Sequence, residues 1–242
     1  MDHLRSNNSS SAFVIKRPRF PLVDVLRGFA VALMIFFHCC YDLKILNMID
    51  FNMDRGGPWW MLPRIIVFLF MIAAGMSLRL QHHPAFQTTV FFKRLSLLVF
   101  WAVVISISTY FLFPTTWIYF GTLHSIALCS LLTLPFIARP KIAGGLGGLI
   151  ILFTVIFKVK IPWILLKHYS MDYIPPFPWV GYMLIGIFLT HQGVHTWGRW
   201  DHLWGKFFIN FFGRMGKHSL FIYIVHQPIL YGALLLIRNI LQ

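Results

Sequence analysis

Apolar runs recur along this chain near 22–43, 58–80, 91–113, 119–138, 142–157, 177–190 and 219–238. Most approach the roughly 20 residues that a helix needs to cross bilayer hydrocarbon, the fifth and sixth being short. Lipid offers no partner to a backbone amide, so such segments must be helices packed on one another. The expected fold is all-α, a polytopic integral membrane helix bundle of about seven spans. With 58% hydrophobic residues, 12% charged residues and a mean hydropathy of +0.71, the chain is too apolar for an ordinary soluble domain. Residues 1–18 are polar, then basic, and read as a disordered cytoplasmic tail; residues 19–242 read as one transmembrane domain. No cleavable signal is evident, because the first apolar run is too long and too charged for one.

Orientation follows from the basic residues. The 21 Lys and Arg against 7 acids, all Asp, give a net charge of +14. With the amino terminus inside, the inner segments hold thirteen basic residues and the outer segments six, which predicts a cytoplasmic amino terminus. Cytoplasmic loops facing anionic lipid account for the surplus, and no nucleic-acid motif accompanies it. Membrane lipid is therefore an expected partner and nucleic acid is not. Cys39, Cys40 and Cys129 all lie in apolar runs and read as small apolar filler; neither a disulfide framework nor a metal site is expected.

The first run, RFPLVDVLRGFAVALMIFFHCCYDLK, carries Asp24, Arg27, His38 and Asp42 inside it. Ionisable groups at membrane depth are costly and mark function by default. On a helix Arg27 and His38 lie within about 20° of one stripe and about 16 Å apart along the axis. Asp24 and Asp42 share that stripe, and Leu26, Phe29, Leu33, Phe36 and Phe37 form the apolar back. The bland alternatives are an Asp24–Arg27 pair near the membrane face and a His38 that only caps a bundle contact.

Later polar residues divide in the same way. Arg64, after Trp59 and Trp60, reads as a side chain reaching back to the interface. Lys93 and Arg94 begin the third run at its cytoplasmic end, where they would hold an anion or anchor the helix. His124 should lie at the depth of His38, as a site group or as an interhelical hydrogen bond. Gly144, Gly145, Gly147 and Gly148 read as packing surface. The outer loop ending MDYIPPFPWVGY could hold Asp172 and Tyr173 over the mouth of a cavity, or serve as a plain turn. Residues 196–212, with Trp197, Trp200, Trp204, Phe208 and Phe211 at helical spacing, predict an amphipathic helix lying on the inner leaflet. Gly213, Arg214, Gly216 and Lys217 then precede Ser219, an arrangement of flexible glycines and cations that suits a phosphate at a helix start. Ser219, Tyr223, His226 and Gln227 share one face of the last run.

The runs DVLRGFAVALMIFFH, YFGTLHSIALCSLL, DYIPPFPW and KHSLFIYIVHQP resemble, in that order, bacterial membrane proteins grouped with the catalytic domain of heparan-α-glucosaminide N-acetyltransferase. The likeness covers about residues 19–237. The spacing of Arg27 and His38 also resembles the first-helix motif of the broader type-3 transmembrane acyltransferases. The animal member of the family carries asparagine where His38 stands, so the role of His38 follows the wider superfamily.

The resemblance implies an enzyme of the bacterial cytoplasmic membrane. It would take an acetyl or other acyl group from cytoplasmic acyl-CoA and pass it to a carbohydrate on the far side, with no metal. Arg27 and His38 would be the essential pair. Arg214, Lys217, Lys93 and Arg94 would hold the donor's phosphates, and Asp172, Tyr173, His124, His226 and Gln227 are candidates for binding the acceptor. His38 would act as general base with Asp42 orienting it, or carry the acyl group itself; an imidazole pKa of about 6.5 suits either role. A transporter or flippase for a polar or lipid-linked solute, and a b-type haem protein ligated by His38, His124 or His226, are the rival classes. The sequence leaves a homodimer open.

Overall fold

The structure is a computed structural model and describes residues 20–50, 57–82, 85–196 and 203–241. The predicted tail at 1–18, together with Trp197, Trp200 and the side chain of Trp204, lies outside the described residues.

Among the described residues there are eight α-helices: α1 (Pro21–Ile45), α2 (Pro58–His82), α3 (Thr88–Leu112), α4 (Thr122–Leu132), α5 (Pro140–Ile151), α6 (Pro176–His191), α7 (Leu203–Lys217) and α8 (Ser219–Leu241). Proline begins α1, α2, α5 and α6, the position where a missing amide hydrogen costs nothing and a fixed φ starts the first turn. Each apolar run falls on a helix. Four of them, α1, α2, α3 and α8, are long and apolar enough to cross a membrane. α4 spans 11 residues and is followed by a 3-10 turn at Leu134–Phe136, while α5 runs on through a π-helical turn at Leu152–Ile156. No strand occurs among the described residues, only an isolated bridge between Phe120 and Tyr173.

α2 is the most buried of the long helices and forms the centre. α6 packs on it, and α5 packs on the other side of α6. Small residues bring these axes together. A Cβ on Gly75 would stand 2.0 Å from the Met183 carbonyl oxygen, and one on Gly186 would stand 2.4 Å from that of Ile72. Gly147 of α5 faces the Gly181 carbonyl in the same way and Gly144 faces the Phe188 ring, so the packing reading holds for these two, whereas Gly145 and Gly148 meet nothing within 4 Å. Ala30, Val31, Met71, Met183 and Ile187 are fully enclosed in the resulting core. α3 packs closely on α4, which in turn rests on α6 and α2.

α1 is the hub on the other side of α2, touching α2, α7 and α8. Its contact with α7 bears on two expectations and corrects the second. The segment read as an interfacial helix at 196–212 is helical over Leu203–Lys217 and runs antiparallel along α1. Gly28 meets the Phe212 carbonyl, Gly216 meets that of Asp24, and Phe212 packs edge-on against Phe29 at 5.6 Å. Part of the apolar back of α1 therefore faces α7. The stretch from Gly213 to Lys217 belongs to this helix and is no flexible phosphate loop, because Gly216 is spent on close approach. A single residue, His218, separates α7 from α8.

A Cβ at Gly216 would lie 1.7 Å from a backbone oxygen, whereas one at Gly213 on the same helix meets nothing within 4 Å. Gly216→Ala should cost about 3 kcal/mol or more, since backbone must shift. Gly213→Ala should be neutral or stabilising by about 1 kcal/mol. Thermal unfolding of the two variants in the same detergent checks the contrast.

Candidate active site

α1 and α8 run side by side in the same direction, and their polar residues meet near the carboxyl-terminal end of α1. Tyr223, His226 and Gln227 stand at i, i+3 and i+4, a spacing that puts all three on one helix face. Asp42 is 1% exposed, and both its carboxylate oxygens accept hydrogen bonds from the Gln227 side-chain amide, at 3.0 and 3.1 Å. This corrects the expectation that Asp42 orients His38. One helical turn brings the two residues near each other, but the short Asp42 side chain is directed across to α8.

His38 instead faces His226, with ring centroids 5.0 Å apart and planes inclined by 61°. The His226 Nδ1 lies 2.7 Å from the Tyr223 carbonyl oxygen. A carbonyl can only accept, so Nδ1 carries the hydrogen, and in the neutral ring Nε2 keeps its lone pair. That Nε2, the His38 Nδ1 and the Gln227 Oε1 are buried without a protein partner. Buried polar atoms are nearly always paired, so three in one locality are the groups a polar substrate would meet.

The Tyr223 side chain continues the cluster towards Thr122 and Asp172. Asp172 comes from the loop before α6 and caps α4: its carboxylate accepts from the Thr122 amide at 2.7 Å and from the Thr122 hydroxyl at 3.0 Å. A negative group at a helix amino terminus is favourable. Gly121 makes room for it, since a Cβ there would fall 2.6 Å from the carboxylate. Burial pushes the Asp172 carboxyl above the usual range, and the bonds from Thr122 offset part of that. The loop is secured by amide bonds from Met171 to the Thr116 carbonyl and from Ile174 to that of Phe120.

Other predicted residues stand apart. His124 accepts from the Gly121 amide through Nδ1, at the start of α4, and its Nε2 lies 3.2 Å from the Ser106 hydroxyl of α3, the interhelical hydrogen bond that was one of its two expected roles. The Tyr173 hydroxyl donates to the Ile164 carbonyl at 2.8 Å, within its own loop. Lys93, Arg214 and Lys217 are exposed. Arg64 lies 3.6 Å over the Trp60 ring and donates to the Trp60 carbonyl, in keeping with an interfacial anchor.

A second polar locality sits nearer the amino-terminal end of α1. Arg27 donates to the Ser77 hydroxyl of α2, and Arg94 of α3 donates to the Gln81 side-chain oxygen at 3.3 Å. Arg27 and Asp24 attract each other without forming an ion pair. Ser77 and Gln81 were not among the predicted site residues; two polar residues four apart in the apolar α2 were the signal available.

The fold, with four helices long and apolar enough to cross a membrane, defines a helical membrane protein, and its buried polar groups make the space between α1 and α8 the candidate site. Over residues 19–228 the chain matches the profile of the family described as heparan-alpha-glucosaminide N-acetyltransferase, catalytic. It belongs to that family, one of membrane acetyltransferases. No curated protein and no solved structure matches it.

If the Asp42–Gln227 contact holds α8 on α1, a double-mutant cycle of Asp42→Leu and Gln227→Leu should give a coupling of about 2 kcal/mol in denaturant unfolding. A coupling near zero would show that the contact is dispensable.

Proposed function

We propose that this protein transfers an acetyl group from cytoplasmic acyl-CoA to a carbohydrate or glycoconjugate on the opposite side of a bacterial cytoplasmic membrane. Family membership supports the reaction class. The observation that carries the site is the facing pair His38 and His226, with a lone pair fixed on the His226 Nε2 by the bond from its Nδ1. In this reading all seven apolar helices cross the membrane, the amino terminus is cytoplasmic, and the imidazole pair lies towards the outer face. The excess of basic residues in the inner segments supports that orientation.

The chemistry follows from the pair. An acceptor hydroxyl or amine binds between the imidazoles and the Asp172 loop. The His226 Nε2 takes its proton as the oxygen or nitrogen attacks the thioester carbonyl, the carbon–sulfur bond breaks, and the proton passes to the departing thiolate. His38 contacts the acceptor or the thioester from the other side. Asp42 acts through Gln227, holding α8 in register so that His226 meets His38. His124 acts further back, fixing the start of α4 on which Thr122 and Asp172 depend. Lys93, Arg214 and Lys217 form an exposed basic rim that draws the anionic donor to the cytoplasmic face.

Purified protein should move label from acetyl-CoA to glucosamine, the sugar in the family's name. His38→Ala and His226→Ala should each lower kcat/KM by about 10²- to 10⁴-fold while binding of desulfo-CoA, which has no thioester, stays within about threefold. Two variants with unimpaired transfer would remove the imidazole pair from the mechanism.

A further inference from the structure

We infer that Arg27 and Arg94 form an internal two-guanidinium site for a phosphate-bearing anion, separate from the exposed basic rim. They come from different helices, α1 and α3, and converge on one face of α2, because Ser77 and Gln81 are four residues apart and so lie about 6 Å from each other along the axis. They are close enough to repel each other. The Ser77 hydroxyl spends its own hydrogen on the Ala73 carbonyl at 2.7 Å and so presents a lone pair to Arg27. Both hydrogen-bond partners, the Ser77 hydroxyl and the Gln81 side-chain oxygen, are neutral, and each guanidinium has five N–H donors to place.

The surroundings do not cancel this charge. On α1, Asp24 attracts Arg27 but makes no ion pair with it. Among the described residues no carboxylate pairs with either guanidinium. α7 meets Asp24 through the backbone at Gly216. Two like charges held side by side and half-buried among apolar helices are costly unless an anion completes them, and guanidinium forks match the oxygens of phosphate. Arg79, also turned inward, behaves differently: it donates to the Ile137 carbonyl and is settled by backbone.

The anion is a phosphate or pyrophosphate group, and two sources could supply it: a nucleotide-bearing acyl donor or a phospholipid headgroup. The geometry favours the donor. Arg27 lies about 16 Å below His38 along α1, a separation suited to a pantetheine arm that keeps its phosphates at one end and its thioester at the other. This choice of source rests on the acyl-CoA reading above; the anion site does not. On this account Arg27 binds and positions the donor and takes no part in proton transfer.

Three probes test the site on purified protein: inorganic pyrophosphate, desulfo-CoA and short-chain phosphatidylglycerol, each read by the rise in unfolding temperature and by titration. Pyrophosphate and desulfo-CoA should both bind. Arg27→Gln and Arg94→Gln should each weaken both by at least about tenfold, and Arg139→Gln, an exposed control, by less than about threefold. If a Gln variant does not fold, Arg27→Lys and Arg94→Lys keep the charge without the fork and should still weaken binding about tenfold. Variants that bind pyrophosphate like the parent protein overturn the site. Binding of pyrophosphate through these arginines with no binding of desulfo-CoA overturns the donor as source and leaves the anion site standing. Competition by phosphatidylglycerol alone assigns the pair to lipid and overturns the proposal as stated.

Discussion

Asp42 is sealed between two helices and has Gln227 as its hydrogen-bond partner. A buried carboxyl left unpaired is expensive, so this contact fixes where α8 lies along α1. Leu220, Ile222 and Tyr223 add packing of α8 against the core. α8 touches α1 far more than any other helix, its long apolar surface is largely exposed, and His226 is its buried residue. The imidazole pair exists only when the two helices stand in this register, since a shift of one turn would carry His226 about 5.4 Å from His38. The chemistry proposed for the protein thus depends on a contact that touches neither substrate.

α1 serves two tasks at its two ends. Near its carboxyl-terminal end it presents His38 to His226 and Asp42 to Gln227; near its amino-terminal end it presents Arg27 to Ser77 and Arg94. Between them Gly28 and Ala30 admit α7 and the core. Both clusters draw on at least one other helix, which explains why they need a rigid bundle. The glycine crossings of α1 with α7 and of α2 with α6 supply that rigidity by bringing backbones closer than side chains would allow.

Much of the fold was legible because a membrane simplifies the problem: uninterrupted apolar runs must be helices, and all seven fall on one. What the runs could not convey is which helix meets which. The stripe of Arg27, His38 and Asp42 was readable from spacing within α1, and so was the shared face of Tyr223, His226 and Gln227. Their pairing across 185 positions was not, and the i,i+4 spacing made His38 the natural partner for Asp42. The same limit hid the bond between Asp172 and Thr122, 50 positions apart. His124 was readable as polar at depth, but its capping role required knowing that α4 starts at Thr122. The glycines beside Arg214 and Lys217 were ambiguous for a further reason: glycine permits both a flexible loop and a close helix crossing, and only the position of α1 decides between them.

The proposed reaction requires one site that links a donor on one side of the membrane to an acceptor on the other. Proteoliposomes with the protein in a single orientation test this most directly: glucosamine is sealed inside and labelled acetyl-CoA is supplied outside, at the face bearing Lys93 and Arg214. The account predicts labelled glucosamine in the lumen, in vesicles that stay impermeable to acetyl-CoA. Labelling only when donor and acceptor share a compartment would contradict it.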